Sequence, residues 1–373
     1  MQSFEWRGKS SGDSLAGPGV RAMINCTGSA RGVKGRARLH AHEDEGMPHR
    51  FWNSYRLRAN AMLPDFFVIG AQKAGSTYLL ECLREHPQVF MPAGEIAFFE
   101  DPFYAESRLE QFESNFAAAR PGQKIGVKRP NVLGCPECPE RLKKHLPAVK
   151  LIAVLRKPLE RTISGYFHYM ASGFIPIATA EEGLRKLLAG EYDKFPRAHE
   201  ILNFSMYGQH LERYSRTLDR EQITVVLLDD LKRNQAAELA RLYRVIGVDD
   251  RFQPKASSGR PMQAIYSLPR LRMRVWMERA SRGYGNDRAY TYGRRGPLAT
   301  PCRIGAMAID RFVLRPLFPA GPPQISAELT QTLQEKFEPD IERLEEWLGR
   351  DLSHWGQTNQ AVGATPSELR PAF

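Results

Sequence analysis

The chain has 373 residues, 42% of them hydrophobic, and a formal net charge of +11; this length permits one large α/β domain with extensions, or at most two domains. No apolar run approaches the ~20 residues that a membrane-crossing helix needs, and no charged segment followed by an apolar stretch marks a secretory signal. The five cysteines, Cys26, Cys82, Cys135, Cys138 and Cys302, are odd in number and scattered, which excludes a disulfide framework.

Residues 1–62 are rich in Gly, Ser and Arg and show no sustained apolar period, so they read as a disordered basic tail. Ten Lys or Arg stand there against five Asp or Glu, so +5 of the net charge lies outside the folded unit. An internal start at Met47 or Met62 is compatible with this reading.

The apolar run Phe66–Ile69 reads as a buried strand, and it leads directly into Gly70-Ala71-Gln72-Lys73-Ala74-Gly75-Ser76-Thr77 and a helix over Thr77–His86. In a strand, glycine loop and helix of this kind, backbone N–H groups and the positive end of the helix face a phosphate oxygen. The spacing departs from a Walker A loop, because Lys73 precedes the second glycine and Ser76 directly follows Gly75. A Walker A lysine reaches the β- and γ-phosphates while the next Ser or Thr holds Mg²⁺, so the displaced lysine speaks against metal-assisted ATP turnover.

Further strands are expected at Lys124–Val127 and Leu151–Leu155. Between them, Cys135-Pro136-Glu137-Cys138 is a CxxC without the second pair that a four-cysteine zinc site requires; a labile disulfide and two plain thiols are the remaining readings. The second strand runs into Arg156-Lys157-Pro158-Leu159-Glu160-Arg161-Thr162-Ile163-Ser164-Gly165-Tyr166. Pro158 suits the first turn of a helix over Leu159–Met170, which sets Arg156 at the strand's carboxyl edge and Ser164 about two turns into the helix. Ligands of open α/β sheets bind outside the carboxyl ends of strands, so both elements are expected to share one crevice.

These residues resemble the sulfotransferases that use 3′-phosphoadenosine 5′-phosphosulfate (PAPS). Gly70–Thr77 is similar to the family's 5′-phosphosulfate loop, and Arg156–Tyr166 matches its 3′-phosphate motif, RxPxxRxxSxY. The segments Tyr207–Tyr214 and Gln222–Val226 are similar to a helix and a strand of the heparan-sulfate branch. The resemblance, running from about Asp65 to Trp355, implies a single P-loop-like α/β domain with a parallel sheet flanked by helices on both faces. By motif position it implies that Lys73, Ala74, Gly75, Ser76 and Thr77 contact the 5′-phosphate and that Arg156 and Ser164 hold the 3′-phosphate. Gly94-Glu95-Ile96-Ala97-Phe98-Phe99 looks like the stretch whose glutamate is the general base, here Glu95. Lys128 matches a lysine beside the transferred sulfuryl group, with neighbouring Arg129 as the alternative contact. Ser258, Gly259 and Arg260 stand where related chains close over the cofactor.

The implied reaction moves SO₃ from PAPS to a hydroxyl, or less favourably an amine, of a carbohydrate or carbohydrate-bearing acceptor. Charge develops on the leaving oxygen, where Lys73 and Lys128 would meet it, and a positioned carboxylate contributes about 10²–10⁴-fold by taking the acceptor proton. No metal is expected, because the sulfuryl group carries less charge than a terminal phosphoryl group. Golgi members carry an N-terminal anchor that this chain lacks, and a cytoplasmic location is therefore expected. Arg161 is read as pairing with Glu160 or a neighbouring acid, and Tyr166 as helix core.

Beyond the motifs, helices are expected at Met206–Leu218 and Asn234–Ile246 and a strand at Ile223–Leu228. Ser326–Leu348 shows helical spacing interrupted by Pro339. The resulting division is a tail over 1–62, a domain over 63–356 with a helical, Arg-rich insertion at about 263–323, and a tail over 357–373. Arg270–Arg315 holds eleven arginines against Glu278, Asp287 and Asp310, a surface suited to an acidic acceptor. Two rival readings stand beside the sulfotransferase: a P-loop kinase or nucleotidase, and a basic nucleic-acid-binding protein. Neither accounts for Lys73, Glu95 and Arg156 together. The identity of the acceptor and the oligomeric state are not legible in the sequence.

Overall fold

The computed structural model describes residues 62–255, 265–284, 291–293, 299–319, 321 and 323–356. The expected terminal tails therefore lie outside the described residues, apart from Met62, as do Ser258, Gly259 and Arg260.

Five strands form one parallel sheet: Phe66–Gly70 (β1), Val89–Phe90 (β2), Lys124–Lys128 (β3), Lys150–Leu155 (β4) and Ile223–Leu227 (β5), in the order β2-β3-β1-β4-β5. β1 is buried along its whole length, as a central strand covered on both faces should be. Successive side chains of a strand point to opposite faces. Phe67 and Ile69 thus join one apolar layer with Leu151, Ala153 and Leu155, while Phe66 and Val68 join the other with Ile152, Val154 and Val226.

Helices Ser76–Glu85 and Gln235–Ile246 cover the second layer through Leu79, Leu83, Leu239 and Tyr243. Helices Pro158–Ala171, Tyr207–Ser215 and Ala327–Leu348 cover the first through Tyr166, Leu211, Tyr214, Leu333 and Phe337. From β1 the chain passes to the outer β2, returns through β3 beside β1, and then crosses to β4 on β1's other side. The carboxyl end of β1 is therefore a switch point, and the loops after β1, β3 and β4 meet there.

The last helix runs unbroken through Pro339 for 22 residues, where the sequence suggests an interruption. A helix-interior proline costs about 3 kcal/mol, and the buried Leu333, Phe337, Ile341 and Leu344 on either side each contribute burial of about 1.5–3 kcal/mol, enough to hold the helix together. Buried Asp340, the next residue, accepts hydrogen bonds from the backbone N–H groups of Gly208 (2.9 Å) and Gln209 (2.8 Å), so it caps the neighbouring helix. A Cβ on Gly208 would lie 2.6 Å from the Asp340 carbonyl oxygen and 2.9 Å from the Leu344 nitrogen; only glycine lets these two helices approach so closely.

β2 has two residues, too few to show alternation, and the helices Cys138–His145 and Ala180–Leu188 are among the elements not anticipated from the sequence. The Arg-rich insertion forms helix Leu268–Ser281, an antiparallel pair of short strands at Arg282–Tyr284 and Thr291–Gly293, and a second helical run from Ala299 to Leu317 that includes a π-turn at Asp310–Leu314.

Candidate active site

The loop after β1 is held from three sides. The Ala71 N–H donates to the Val154 carbonyl (2.7 Å) and the Ala74 N–H to that of Ala71 (3.2 Å). Arg161, wholly buried, donates to the Gln72 carbonyl (3.0 Å), to Gln72 Oε1 (3.3 Å), and to the carbonyls of Glu200 (3.2 Å) and Ile201 (2.7 Å). Gln72 Nε2 in turn donates to Asn131 Oδ1 at 3.1 Å, tying the loop to the segment after β3. Arg161 thus pairs with carbonyl oxygens and not with Glu160 as expected, because its helix faces the loop at that position. Tyr166 is buried helix core, as its spacing suggests, and donates to the Thr179 carbonyl at 3.2 Å.

Within this frame Lys73 takes φ +70° and Gly75 φ +98°, left-handed values that cost a residue with a Cβ roughly 1–2 kcal/mol. At Gly75 a Cβ would also stand 2.9 Å from Leu228 Cδ1. The helix that follows, Ser76–Glu85, begins without a side-chain cap and without an acidic residue in its first turn. Its leading N–H groups and positive dipole end are left for an outside anion.

Lys73 sits among cations. Burial comes first, and then the charges of Arg156, Arg161, Arg274 and Lys128, in lowering its ammonium pKa from the ordinary lysine range. A site that crowds positive groups around an uncapped helix end is short of negative charge, which is the complement of a phosphate or sulfate ester. His168, on the helix after β4, shares this surrounding: burial, then Lys73 and Arg197, hold its pKa down to about 3, so it is neutral.

The loop after β2 and the end of β3 supply the acid–base groups. The Lys128 side chain is only 3% exposed and donates to Glu95 Oε1 at 2.7 Å and to Thr77 Oγ1 at 3.1 Å. Glu95 remains 37% exposed and is met on its other oxygen by Arg129 Nη1 at 3.4 Å. Arg129 is anchored by an ion pair with the buried Glu100. Lys128 thus touches the helix of the phosphate-type loop and the carboxylate at once, whereas Arg129 reaches the carboxylates and lies over the Phe103 ring.

Arg156 and Ser164 sit where their motif suggests, Arg156 half-buried after β4 and Ser164 buried in the following helix. Arg156 Nε is engaged by Glu160 at 2.8 Å, one turn along. Lys73, Ala74, Gly75, Ser76, Thr77, Glu95, Lys128 and Arg156 all lie on loops or element ends at the carboxyl edge of the sheet. Arg161, Gln72 and Asn131 were missed as positioning residues; the only sequence trace of them is the second arginine of the Arg156–Tyr166 motif. Cys135 and Cys138 are free thiols, and burial raises the Cys138 pKa well above the usual thiol range.

Comparison with known proteins bears on this arrangement. The chain is 28% identical over 191 residues to heparan sulfate glucosamine 3-O-sulfotransferase 5 of Mus musculus, covering 51% of this chain and 55% of that one. It is 30% identical over 188 residues to heparan sulfate glucosamine 3-O-sulfotransferase 3B1 of Mus musculus, covering 50% and 46%. The chain thus spans about half the length of the curated relatives it matches. A crystal structure of a sulfotransferase from Alicyclobacillus acidocaldarius shares the fold, with a TM-score of 0.56 at 20% identity over 79% of this chain and all of that one. The sulfotransferase domain family model matches residues 63–266. That match takes in the loop after β1, Glu95, Lys128, Arg156 and Ser164, and the chain belongs to the sulfotransferase domain family.

Proposed function

We propose that this chain transfers the sulfuryl group of PAPS to a hydroxyl of a carbohydrate or carbohydrate-bearing acceptor, with Glu95 as general base. The observation that carries this reading is the Thr77–Lys128–Glu95 chain of hydrogen bonds, which joins an uncapped, cation-lined helix end to a partly exposed carboxylate.

On this reading the 5′-phosphate lies against Gly75, Ser76 and Thr77, where free N–H groups and the helix dipole face it. Arg156 and Ser164 take the 3′-phosphate, with Arg156 exchanging Glu160 for the ligand. By the family resemblance alone, Ser258, Gly259 and Arg260 are assigned to nucleotide binding. The acceptor oxygen attacks sulfur as Glu95 takes its proton; the new O–S bond forms while the bond from sulfur to the bridging phosphate oxygen breaks. Lys73 and Lys128 meet the charge that develops on the leaving side. Hydroxyl transfer is favoured over amine transfer because the two heparan sulfate glucosamine 3-O-sulfotransferase relatives named above act on oxygen by name. A sugar acceptor is proposed on the same resemblance, together with a cytoplasmic location.

Calorimetric titration with 3′-phosphoadenosine 5′-phosphate, with ADP as control and no Mg²⁺ present, tests the reading. Selective binding of the 3′-phosphorylated nucleotide is expected, and Arg156→Ala should weaken it while leaving the weaker ADP interaction unchanged. Equal affinity for both nucleotides, or none, would reject the assignment and reopen the kinase and nucleic-acid readings.

A further inference from the structure

Apart from Met62, every large hydrophobic side chain exposed among the described residues lies between 276 and 318, within the Arg-rich insertion. In the helical run from Ala299 to Leu317, Ala306 is buried, and Asp310, one turn on, is gripped by Arg270 through two bonds of 2.8 Å. That narrow edge packs on helix Leu268–Ser281, whose Leu271 and Val275 turn inward. The remainder of the run presents Ile304, Met307, Phe312, Val313, Leu317 and Phe318, with Phe312 72% and Leu317 67% exposed.

A helix that is apolar around most of its circumference belongs in apolar surroundings, and contiguous apolar patches on a folded surface mark an interaction site. The patch is also cationic. Arg272, Trp276 and Arg279 follow one another at helical spacing and are all exposed, Trp276 by 59%. Arg311 lies over the Phe312 ring at 5.7 Å, and Arg315 is exposed nearby. Asp310 is occupied by Arg270 and so does not offset these charges.

A second copy docked about a two-fold axis would set the same arginines against each other, since such an interface is self-complementary. A bilayer rich in anionic lipid suits both features. The apolar side chains enter the boundary between headgroups and acyl chains, while the arginines extend their stems along it and meet lipid phosphates. We propose that the face formed by Ile304, Met307, Phe312, Leu317 and Phe318, with Arg272, Trp276 and Arg279 of the helix packed against that run, docks the enzyme on an anionic phospholipid surface. Arg274, on another side of the same helix, lies within electrostatic reach of Lys73.

Flotation of the full chain with vesicles tests this. At low salt the chain should rise with phosphatidylcholine vesicles containing phosphatidylglycerol and much less with phosphatidylcholine alone, and added salt should release it. The double variant Phe312→Asp, Leu317→Asp should partition about a hundredfold less strongly, since each apolar side chain withdrawn removes roughly tenfold. Both residues are exposed, so thermal unfolding and nucleotide binding should match the parent chain. Absence from the phosphatidylglycerol vesicles, or equal flotation of the double variant, would overturn the proposal. So would light scattering that shows a dimer dissolved by the same two substitutions, which would assign the face to a second copy.

Discussion

Lys128 has one ammonium and two partners, and this division sets what each substitution nearby should do. On the proposed role of Glu95 as general base, Glu95→Gln should leave affinity for 3′-phosphoadenosine 5′-phosphate nearly intact and lower turnover by about 10²-fold or more. Steady-state rates together with calorimetry on the same preparation separate the two effects, and undiminished turnover would remove Glu95 from the base role. Lys73 supplies a second prediction through its lowered pKa. The free site disfavours the ammonium and a bound phosphate favours it, so the folded pKa rises on binding. Above the lowered value the chain must take up a proton to bind, and affinity should fall as pH rises toward the ordinary lysine range. Titrations at alkaline pH in two buffers of different ionisation enthalpy report that proton uptake directly; no difference between them would mean that Lys73 stays clear of the anion.

Elements depend on contacts of a different reach, and this explains what could be read in advance. The Gly70–Thr77 loop and the Arg156–Tyr166 motif each lie in one continuous stretch, with a strand before and a helix after, so residue types and spacing reveal them. The clamp on the loop is spread out: Arg161 bonds Gln72 across 89 positions, and Gln72 bonds Asn131 across 59. Nothing local in the sequence distinguishes an arginine that will be solvated by carbonyls from one that will meet an acid. Arg161 was accordingly assigned to the wrong partner, although its helix was placed to within a residue. β2 escaped notice because two residues beside β3 carry no periodicity. The approach of helices Tyr207–Ser215 and Ala327–Leu348 belongs to the same class, and it is testable. Gly208→Ala would push a methyl group to within 3 Å of the last helix's backbone, an overpacking that should cost roughly 1–3 kcal/mol. The denaturant midpoint should drop with its slope unchanged; an unaltered midpoint would mean that the two helices slide apart freely.

Across the whole molecule, stability at mildly acidic pH should follow a buried histidine remote from the chemistry. His210 is 1% exposed; its Nε2 donates to the Asn203 carbonyl at 2.8 Å and its Nδ1 accepts from Arg213 at 2.5 Å. Burial first, and then the Arg213 charge, hold its pKa down to about 4. The unfolded chain takes up this proton near the ordinary pKa of about 6.5, while the folded chain refuses it until about pH 4. Stability is therefore intact above that ordinary value and falls with pH through this window, by about 1.4 kcal/mol per pH unit. His210→Gln, which keeps a donor and an acceptor without a proton to gain, should make the decline in denaturant midpoints between neutral and mildly acidic pH shallower, the share due to His168, whose pKa is also held down, remaining. The fold class was legible because the strands alternate with helices in chain order, whereas no motif in the sequence identifies the acceptor. The Asp340 cap carries one last consequence. The family match ends at residue 266, yet the start of the Tyr207–Ser215 helix is completed by a carboxylate 132 positions beyond Gly208, and Leu333 and Phe337 fill the layer beneath the sheet. The stretch matched by the family model is therefore smaller than the folding unit, and a chain cut at residue 266 should fail to reach the native state although it keeps the loop after β1, Glu95, Lys128 and Arg156.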